Sequence, residues 1–185
     1  MSLVSYNLRI FNPCTSSKEK FNMFRFFIGI AILTFSAFFA HADDLDMGTI
    51  ADENGCKVYN PMPQQGESIS WDGSCINGFA NGSGTLKWFI NGQLKEHYVG
   101  DIVSGWAEGE GVYTSHDGTQ YDGAWVQSRQ NGRGVQLNPD GSAYDGEWLN
   151  GRAHGRGRLR TSNGEIFEGE WRNGEPLNQP DGRRI

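Results

Sequence analysis

Aromatic and polar residues alternate along the second half of the chain, and the pattern repeats. In the stretch YDGEWL, Tyr144, Gly146 and Trp148 would lie on one face of a strand, with the carboxylates between them on the other. Aromatic side chains suit a half-buried pleated surface, whereas carboxylates can remain in water. The first aromatic position recurs every 23 residues, at Tyr98, Tyr121, Tyr144 and Phe167. A fixed period of this size indicates a repeat architecture.

Glycines keep the same step, both between the aromatic positions and in pairs such as Gly155 and Gly157. Asn163-Gly164 is a typical turn pair, and residues 150–155 are interpreted as a second, glycine-rich turn. Two turns leave room for two strands of about five or six residues and for no helix. The unit is therefore interpreted as a β-hairpin. Because one hairpin is only marginally stable, neighbours must stack to bury the aromatic face.

The sequence predicts an all-β fold, an elongated antiparallel meander of stacked β-hairpins with about four and a half repeats of 23 residues. The best-kept unit reads Tyr-x-Gly-x-Trp-x-x-Gly-x-x-x-Gly-x-Gly from Tyr144 to Gly157. This pattern resembles the MORN repeat (membrane occupation and recognition nexus). The resemblance covers residues 71–174, with a divergent first repeat in which Cys75 takes the second aromatic position. It implies a single curved sheet of hairpins and fixes no function.

The N-terminal segment has a different character. Residues 26–40 contain no charge, Arg25 precedes them, and Ala40-His41-Ala42 follows as a small-x-small site. These features are typical of a secretory signal peptide at 23–42 cleaved after Ala42, while an uncleaved anchor is disfavoured because the run is short. Residues 1–22 are interpreted as an upstream extension from a misassigned start codon, or alternatively as a long polar start to the signal.

The remaining chain is expected to comprise a polar lead-in (43–70), the repeat domain (71–174) and a tail (175–185). Cys56 in the lead-in and Cys75 in the first repeat would be the only cysteines left after cleavage, since Cys14 precedes the site. An even pair in an exported chain predicts a disulfide, here one that joins the lead-in to the edge of the first hairpin. A reactive thiol pair is disfavoured because there is no Cys-x-x-Cys motif.

No catalytic chemistry is apparent in the sequence. His97, His116 and His154 have no metal-ligand spacing, and His154 is expected in a turn. The many carboxylates are expected on the polar face of the strands, and there is no Gly-x-Ser-x-Gly nucleophile motif. A formal net charge of −6, which becomes more negative without the leader, argues against nucleic acid as a partner. We expect no catalytic residue, no metal and no cofactor.

Two features could form a binding site. The first is a ladder of aromatic residues that we interpret as the packed face of the sheet, although a groove for a peptide, a glycan or an acyl chain stays open as an alternative. Its members are Trp71, Tyr98, Tyr121, Trp125, Tyr144, Trp148, Phe167 and Trp171. The second is a basic cluster, Arg152, Arg156, Arg158 and Arg160. It is either a solvated strand or a contact for phosphate, from a lipid headgroup or an acidic partner.

These observations lead to one functional hypothesis and two rivals. The favoured hypothesis is an exported, non-enzymatic scaffold in the periplasm or outside a bacterial cell, with a protein partner in the cell envelope. The alternative is a membrane-associated module that binds phospholipid headgroups through the arginine cluster. An envelope hydrolase or glycan binder that uses the groove is the least favoured.

Overall fold

The computed structural model describes residues 48–177, which form one open sheet of thirteen strands. The predicted upstream extension, signal peptide and tail beyond Leu177 lie outside the described residues. Residues 48–177 contain no helix, and so none that could cross a membrane. The predicted all-β meander of hairpins is confirmed.

The strands of the N-terminal part are short, apart from the last one. They are β1 (Thr49–Ala51), β2 (Lys57–Tyr59), β3 (Glu67–Trp71), β4 (Ser74–Ile76) and β5 (Phe79–Ile90). Strands β3 and β4 both pair with β5 antiparallel, whereas β2 meets β5 in a parallel bridge at Lys57 and Phe79. The stretch predicted as a polar lead-in therefore carries β1, β2 and most of β3.

From β5 onward each strand pairs antiparallel with the next in sequence. The strands are β6 (Gln93–Val103), β7 (Trp106–Ser115), β8 (Gln120–Val126), β9 (Arg129–Leu137), β10 (Ala143–Leu149), β11 (Arg152–Arg160), β12 (Ile166–Arg172) and β13 (Glu175–Pro176). The final strand, β13, lies in the stretch predicted as a tail.

The predicted strand length of five or six residues is wrong, since β8 has 7 residues and β9 has 9. The turn assigned to residues 150–155 contains only Asn150 and Gly151, whose φ angles of 50° and 78° allow a tight two-residue hairpin. Gly155 and Gly157 lie inside β11, and a bulge there absorbs the extra residues.

A hairpin formed by β1 and β2 covers the first two repeats. The N–H of Lys57 donates to the Gly78 carbonyl at 2.9 Å, and that of Tyr59 donates to the Gly105 carbonyl at 3.2 Å. Buried Val58 lines the same small cavity as Ile102, which stands where later repeats have tryptophan. The hairpin thus fills the space that an indole ring fills further along the sheet.

The predicted disulfide is present in the structure. Cys56, just before β2, is bonded to Cys75 in β4, with their Cα atoms 5.7 Å apart. Cys56 is buried and Cys75 is exposed. The bond therefore fastens the N-terminal hairpin to the first repeat.

Candidate functional site: the two faces of the repeat sheet

The aromatic ladder forms the core of the protein along one face of the sheet, called here the inner face. Seven of its eight members expose between 0% and 8% of their surface, and Phe167 in the last repeat is half-buried. The seven are Trp71, Tyr98, Tyr121, Trp125, Tyr144, Trp148 and Trp171. Strict alternation along β8 and β10 places these rings inward.

The inner tryptophans Trp125 and Trp148 each link two repeats. The ring centroid of Trp125 lies 5.5 Å from that of Tyr98 and 5.0 Å from that of Tyr121, in both cases edge to face. Trp148 is held in the same way between Tyr121 and Tyr144, at 5.2 Å from each. These are the preferred geometries of aromatic pairs, so the ladder is a continuous packed array.

The polar atoms of the ladder are satisfied within the sheet. Trp125 Nε1 donates to the Gly111 carbonyl at 2.9 Å, and Trp148 Nε1 repeats this with Gly134 at 3.0 Å. The Tyr121 hydroxyl donates to the Ala124 carbonyl at 3.1 Å. No donor among these is left to orient a ligand from solution.

A row of glycines across the strands makes room for the rings. Gly100, Gly111, Gly123, Gly134, Gly146, Gly157 and Gly169 are successive cross-strand partners. A Cβ atom placed on Gly134 would lie 2.5 Å from Cζ of the Tyr121 ring. The aromatic rings therefore pack directly against the backbone of the sheet. They fill the groove that the sequence analysis considered as an alternative binding site. A cavity of about 10 Å³ between Val58 and Ile102 has room for about one water molecule.

The four arginines of the basic cluster lie together on β11 and are exposed on the opposite, outer face. They do not form a purely basic surface. Nε of Arg156 lies 3.4 Å from Oε1 of Glu170. Arg158 is the cross-strand partner of Asp145 on one side and of Glu168 on the other. The cluster is therefore interleaved with carboxylates.

The geometry of these repeats agrees with a comparison against known protein families. The model of the MORN repeat matches residues 72–93, 98–120, 121–143, 144–166 and 167–176, together more than half of the chain. The chain belongs to the MORN-repeat family. No curated protein matches it. The fifth MORN match is short because it covers only β12, the following turn and β13.

The outer face of the MORN sheet changes character along its length. One cross-strand row, called here the outer row, consists of Thr85, Val99, Val112, Asp122, Val135, Asp145, Arg158 and Glu168. Its valines expose 37–47% of their surface. The row is mainly apolar up to Val135 and fully charged from Asp145 onward. Sequence reasoning missed this surface because it treated the outward positions only as a solvated face.

Burial alters the chemistry of the tyrosines in the MORN repeats. It raises the pKa of Tyr144 to about 12 and raises the pKa values of Tyr98 and Tyr121 further. Tyr113, which the sequence analysis did not single out, is also buried and has a raised pKa, first because of burial and then because of nearby Glu96. Tyr113 lies two residues after Gly111 and therefore points inward from β7. The alternation of inward and outward residues along a strand could have predicted this from the sequence.

The histidines do not assemble a site. His154 lies in β11 and is half-buried, so its predicted place in a turn is wrong, because the turn ends at Gly151. His97 lies in β6, and His116 begins the turn after β7. Residues 48–177 contain no cluster of three histidine, cysteine or acidic side chains that could hold a metal ion.

Proposed function

We propose that this protein is an exported, non-enzymatic MORN-repeat scaffold that binds another protein of the cell envelope. One observation carries the proposal: the inner face is closed by its own rings, while the outer face presents ordered rows of exposed side chains. A surface of this kind is suited to a macromolecular partner, because small ligands are normally held in concave pockets. The repeat sheet would act as a rigid platform.

The disulfide supports the exported location. Disulfides persist in the periplasm and outside cells, and they are rare in the cytosol. The Cys56–Cys75 bond fixes the hairpin that covers the first two repeats, so an oxidising compartment benefits the fold directly. Together with the leader-like residues 23–42, this favours a bacterial periplasmic or secreted protein cleaved after Ala42, whose mature chain begins with residues 43–70.

The absence of catalysis is part of the same proposal. The carboxylates Asp122, Asp145 and Glu147 lie on the outer face without an enclosing cleft. Neither of the two acids with a shifted pKa, Asp117 and Asp140, has a raised one. A general acid normally needs such a raised pKa. The buried tyrosines are kept neutral by their surroundings and face the packed core.

The charged end of the outer face, from β10 to β12, is the proposed partner site. Arg152, Arg156, Arg158 and Arg160 alternate there with Glu147, Glu168 and Glu170. A pattern of both signs favours a protein surface with matching charges, because charge complementarity between proteins fixes register and excludes wrong partners. An anionic membrane would attract the arginines and repel the glutamates.

Site-specific photo-crosslinking in the producing cells tests the scaffold proposal. A photoreactive residue in place of Arg160, which is exposed on β11, should give one discrete adduct with another protein. The same photoreactive residue in place of exposed Glu53, in the turn between β1 and β2 at the opposite end of the strand order, serves as the control and should give none. Recovery of only uncrosslinked chain from the Arg160 variant would refute the partner site.

The phospholipid alternative has its own test. The oxidised protein is sedimented with neutral and with anionic vesicles at two salt concentrations. We expect no pelleting, because the carboxylates offset the arginines. Salt-sensitive pelleting with anionic vesicles, lost when the four arginines are replaced by glutamate, would instead support headgroup binding.

A further inference from the structure

The two ends of the repeat sheet are closed to different extents. At the N-terminal end, the hairpin of β1 and β2 covers the first two repeats. At the C-terminal end, β13 has only 2 residues, which pair with Trp171 and Arg172 of β12. One further bond joins the N–H of Leu177 to the Glu170 carbonyl at 2.8 Å. Within the part of the chain that the structure describes, the segment 166–169 of β12 therefore has a neighbouring strand, β11, on one side only.

The Leu177 bond also shows which backbone groups face the open side. In an antiparallel sheet the N–H and C=O groups of one residue point to the same neighbouring strand, and successive residues alternate between the two neighbours. Strand β12 pairs with β11 without a bulge, so this alternation holds along it. Because Glu170 bonds on the side of β13, Ile166 and Glu168 direct their N–H and C=O groups to that same side. Two donors and two acceptors are therefore available to a further strand.

The side chains of this segment also lack the cover that the preceding repeat provides. Tyr144 is buried there, with Leu159 opposite it on the next strand and its ring lying over Gly157. Phe167 takes the place of Tyr144 in the last repeat but is only half-buried, and a Cβ atom on Gly169 would meet no atom within 4 Å. The missing strand thus leaves open space beside Phe167.

We propose that a strand of another protein adds to this open edge, antiparallel to β12, with a basic residue opposite Glu168 and an aliphatic residue opposite Phe167. Strand addition of this kind binds through main-chain hydrogen bonds and takes its specificity from alternate side chains. Glu168 is exposed and forms no ion pair among residues 48–177, so its charge favours a cationic partner residue. The aliphatic side chain would cover Phe167 and complete the inner face.

The preceding repeat shows which side chains fit such a strand. On β11, Arg158 lies opposite an acid, Asp145, and Leu159 lies opposite Tyr144. Gly157, just before them, leaves room for the tyrosine ring. The register of the sheet therefore indicates the order glycine, basic residue, aliphatic residue for the added strand.

The C-terminal sequence of the chain itself lacks these side chains. Counted by the 23-residue period, Asp181 and Gly182 correspond to the arginine and the leucine of β11. In that register Asp181 would place a second carboxylate beside Glu168, and like charges directly opposite are destabilising. Gly182 has no side chain with which to cover Phe167. The sequence thus favours a strand supplied by another protein.

This edge site goes beyond the scaffold proposal, which places a partner on the outer face. The two proposals fail separately, because the edge is tested with purified protein and a synthetic peptide, whereas the outer face is tested by crosslinking in cells.

The probe is the peptide Gly-Arg-Leu-Arg-Thr, which has the sequence of residues 157–161, and its counterpart has glutamate in place of both arginines. Each peptide is titrated into the oxidised, ¹⁵N-labelled protein purified from the producing cells, and NMR follows the backbone amides. In the free protein the amides of Ile166 and Glu168 should exchange rapidly with solvent. The basic peptide should shift them with a Kd of about 1–10 mM, as suits a few hydrogen bonds. The acidic counterpart should bind at least about fivefold more weakly.

Two variants and one control locate the site. Glu168→Pro removes the N–H on the open side and the carboxylate but keeps the bonds of Phe167 and Gly169 to β11, so binding should be lost. Glu168→Lys should reverse the preference, so that the acidic peptide binds at least about fivefold more tightly than the basic one. Glu110→Lys removes an exposed carboxylate from β7, which is paired on both sides, and should leave binding unchanged.

Slow exchange of both amides in the free protein would overturn the proposal, because it would show that the edge is already covered. Absence of shifts along β12 at the highest peptide concentration would overturn it too, as would equal losses of binding in Glu110→Lys and Glu168→Lys. Should Glu168→Pro fail to fold, the reversal of preference in Glu168→Lys decides the matter.

Discussion

The hydroxyl of Tyr144 folds back over Gly146, two residues further along the same strand, and donates to the carbonyl of Glu147 at 3.1 Å. A Cβ atom on Gly146 would lie 2.7 Å from the Tyr144 hydroxyl and 2.6 Å from the Cα atom of Gly157. There is thus no space for a methyl group at this position.

Gly146→Ala should therefore lower the free energy of unfolding by about 1–3 kcal/mol, the usual cost of overpacking a core. Urea denaturation followed by tryptophan fluorescence measures the loss. Gly169→Ala is the matched control, because it occupies the same repeat position in β12 and has no atom within 4 Å of the added Cβ. It should change stability by less than about 0.5 kcal/mol. Equal losses in the two variants would refute the steric explanation.

The buried tyrosines should make the protein sensitive to alkali. Burial raises the pKa of folded Tyr144 to about 12, against 10.0 in the unfolded chain, so above pH 10 the unfolded chain releases its proton first. The stabilisation is complete below pH 10 and is lost as the pH rises towards 12. Tyr98, Tyr113 and Tyr121 shift in the same direction and add to the effect.

We expect tyrosinate absorbance and loss of sheet circular dichroism to appear together between pH 10 and 12. Tyr144→Phe keeps the ring but removes one of the four titrating groups, so it should make the pH dependence in this window less steep. Titration of all tyrosines near pH 10 with the fold intact would contradict the burial argument.

Reduction of the disulfide should destabilise the protein. Cys56 and Cys75 are 19 residues apart, and a loop of this size is worth about 3 kcal/mol in the chain-entropy model. The urea midpoint should fall on addition of reductant, and the denaturant slope of the transition should rise, because the unfolded chain exposes more surface without the bond. The double variant Cys56→Ser, Cys75→Ser should have the urea midpoint of the reduced wild type, and reductant should not change it. A midpoint that does not respond to reductant in the wild type would show that the bond contributes nothing.

Ile102→Trp should loosen the N-terminal hairpin. The indole would restore the repeat pattern but would need the space beside Val58 that the hairpin fills. We expect faster hydrogen exchange at the amides of Lys57 and Tyr59, which now bond to turn carbonyls, and a stability loss of about 1–3 kcal/mol. Ile102→Leu conserves volume and should leave the exchange unchanged. Unchanged protection in the tryptophan variant would show that the hairpin and the indole do not compete.

The repeat was readable from the sequence because its positions are fixed by local periodicity. Tyr121, Gly123 and Trp125 take the same places as Tyr144, Gly146 and Trp148, and alternation alone puts the rings on one face. The strand lengths were not readable, since a bulge lets Gly155 and Gly157 remain inside β11. Both bulges and turns favour glycine, so a glycine in the sequence does not show which of the two it belongs to.

The N-terminal hairpin could not be predicted from the sequence for a different reason. Residues 57–59 form only a three-residue strand, and their partners are backbone carbonyls at Gly78 and Gly105 that carry no signal in side chains. The outer face was readable only in part. Arg158 was singled out as part of the basic cluster, but the sequence analysis did not single out Val112 and Val135, which lie in the same outward row with exposed apolar side chains.

In the last three repeats an indole donates to a glycine carbonyl fourteen residues earlier, and this bond has a consequence for how the protein can change its length. Trp125, Trp148 and Trp171 make the same bond, so each internal unit presents identical ends to its neighbours. Excision of residues 121–143 would bring Trp148 to the place of Trp125. Its ring would then pack against Tyr98, and its indole N–H would donate to the Gly111 carbonyl. The N-terminal hairpin uses only residues of the first two units for its backbone bonds. Genes for such proteins can therefore gain or lose whole repeats after the first two, which the N-terminal hairpin needs. The length of the repeat sheet can then vary in steps of one hairpin.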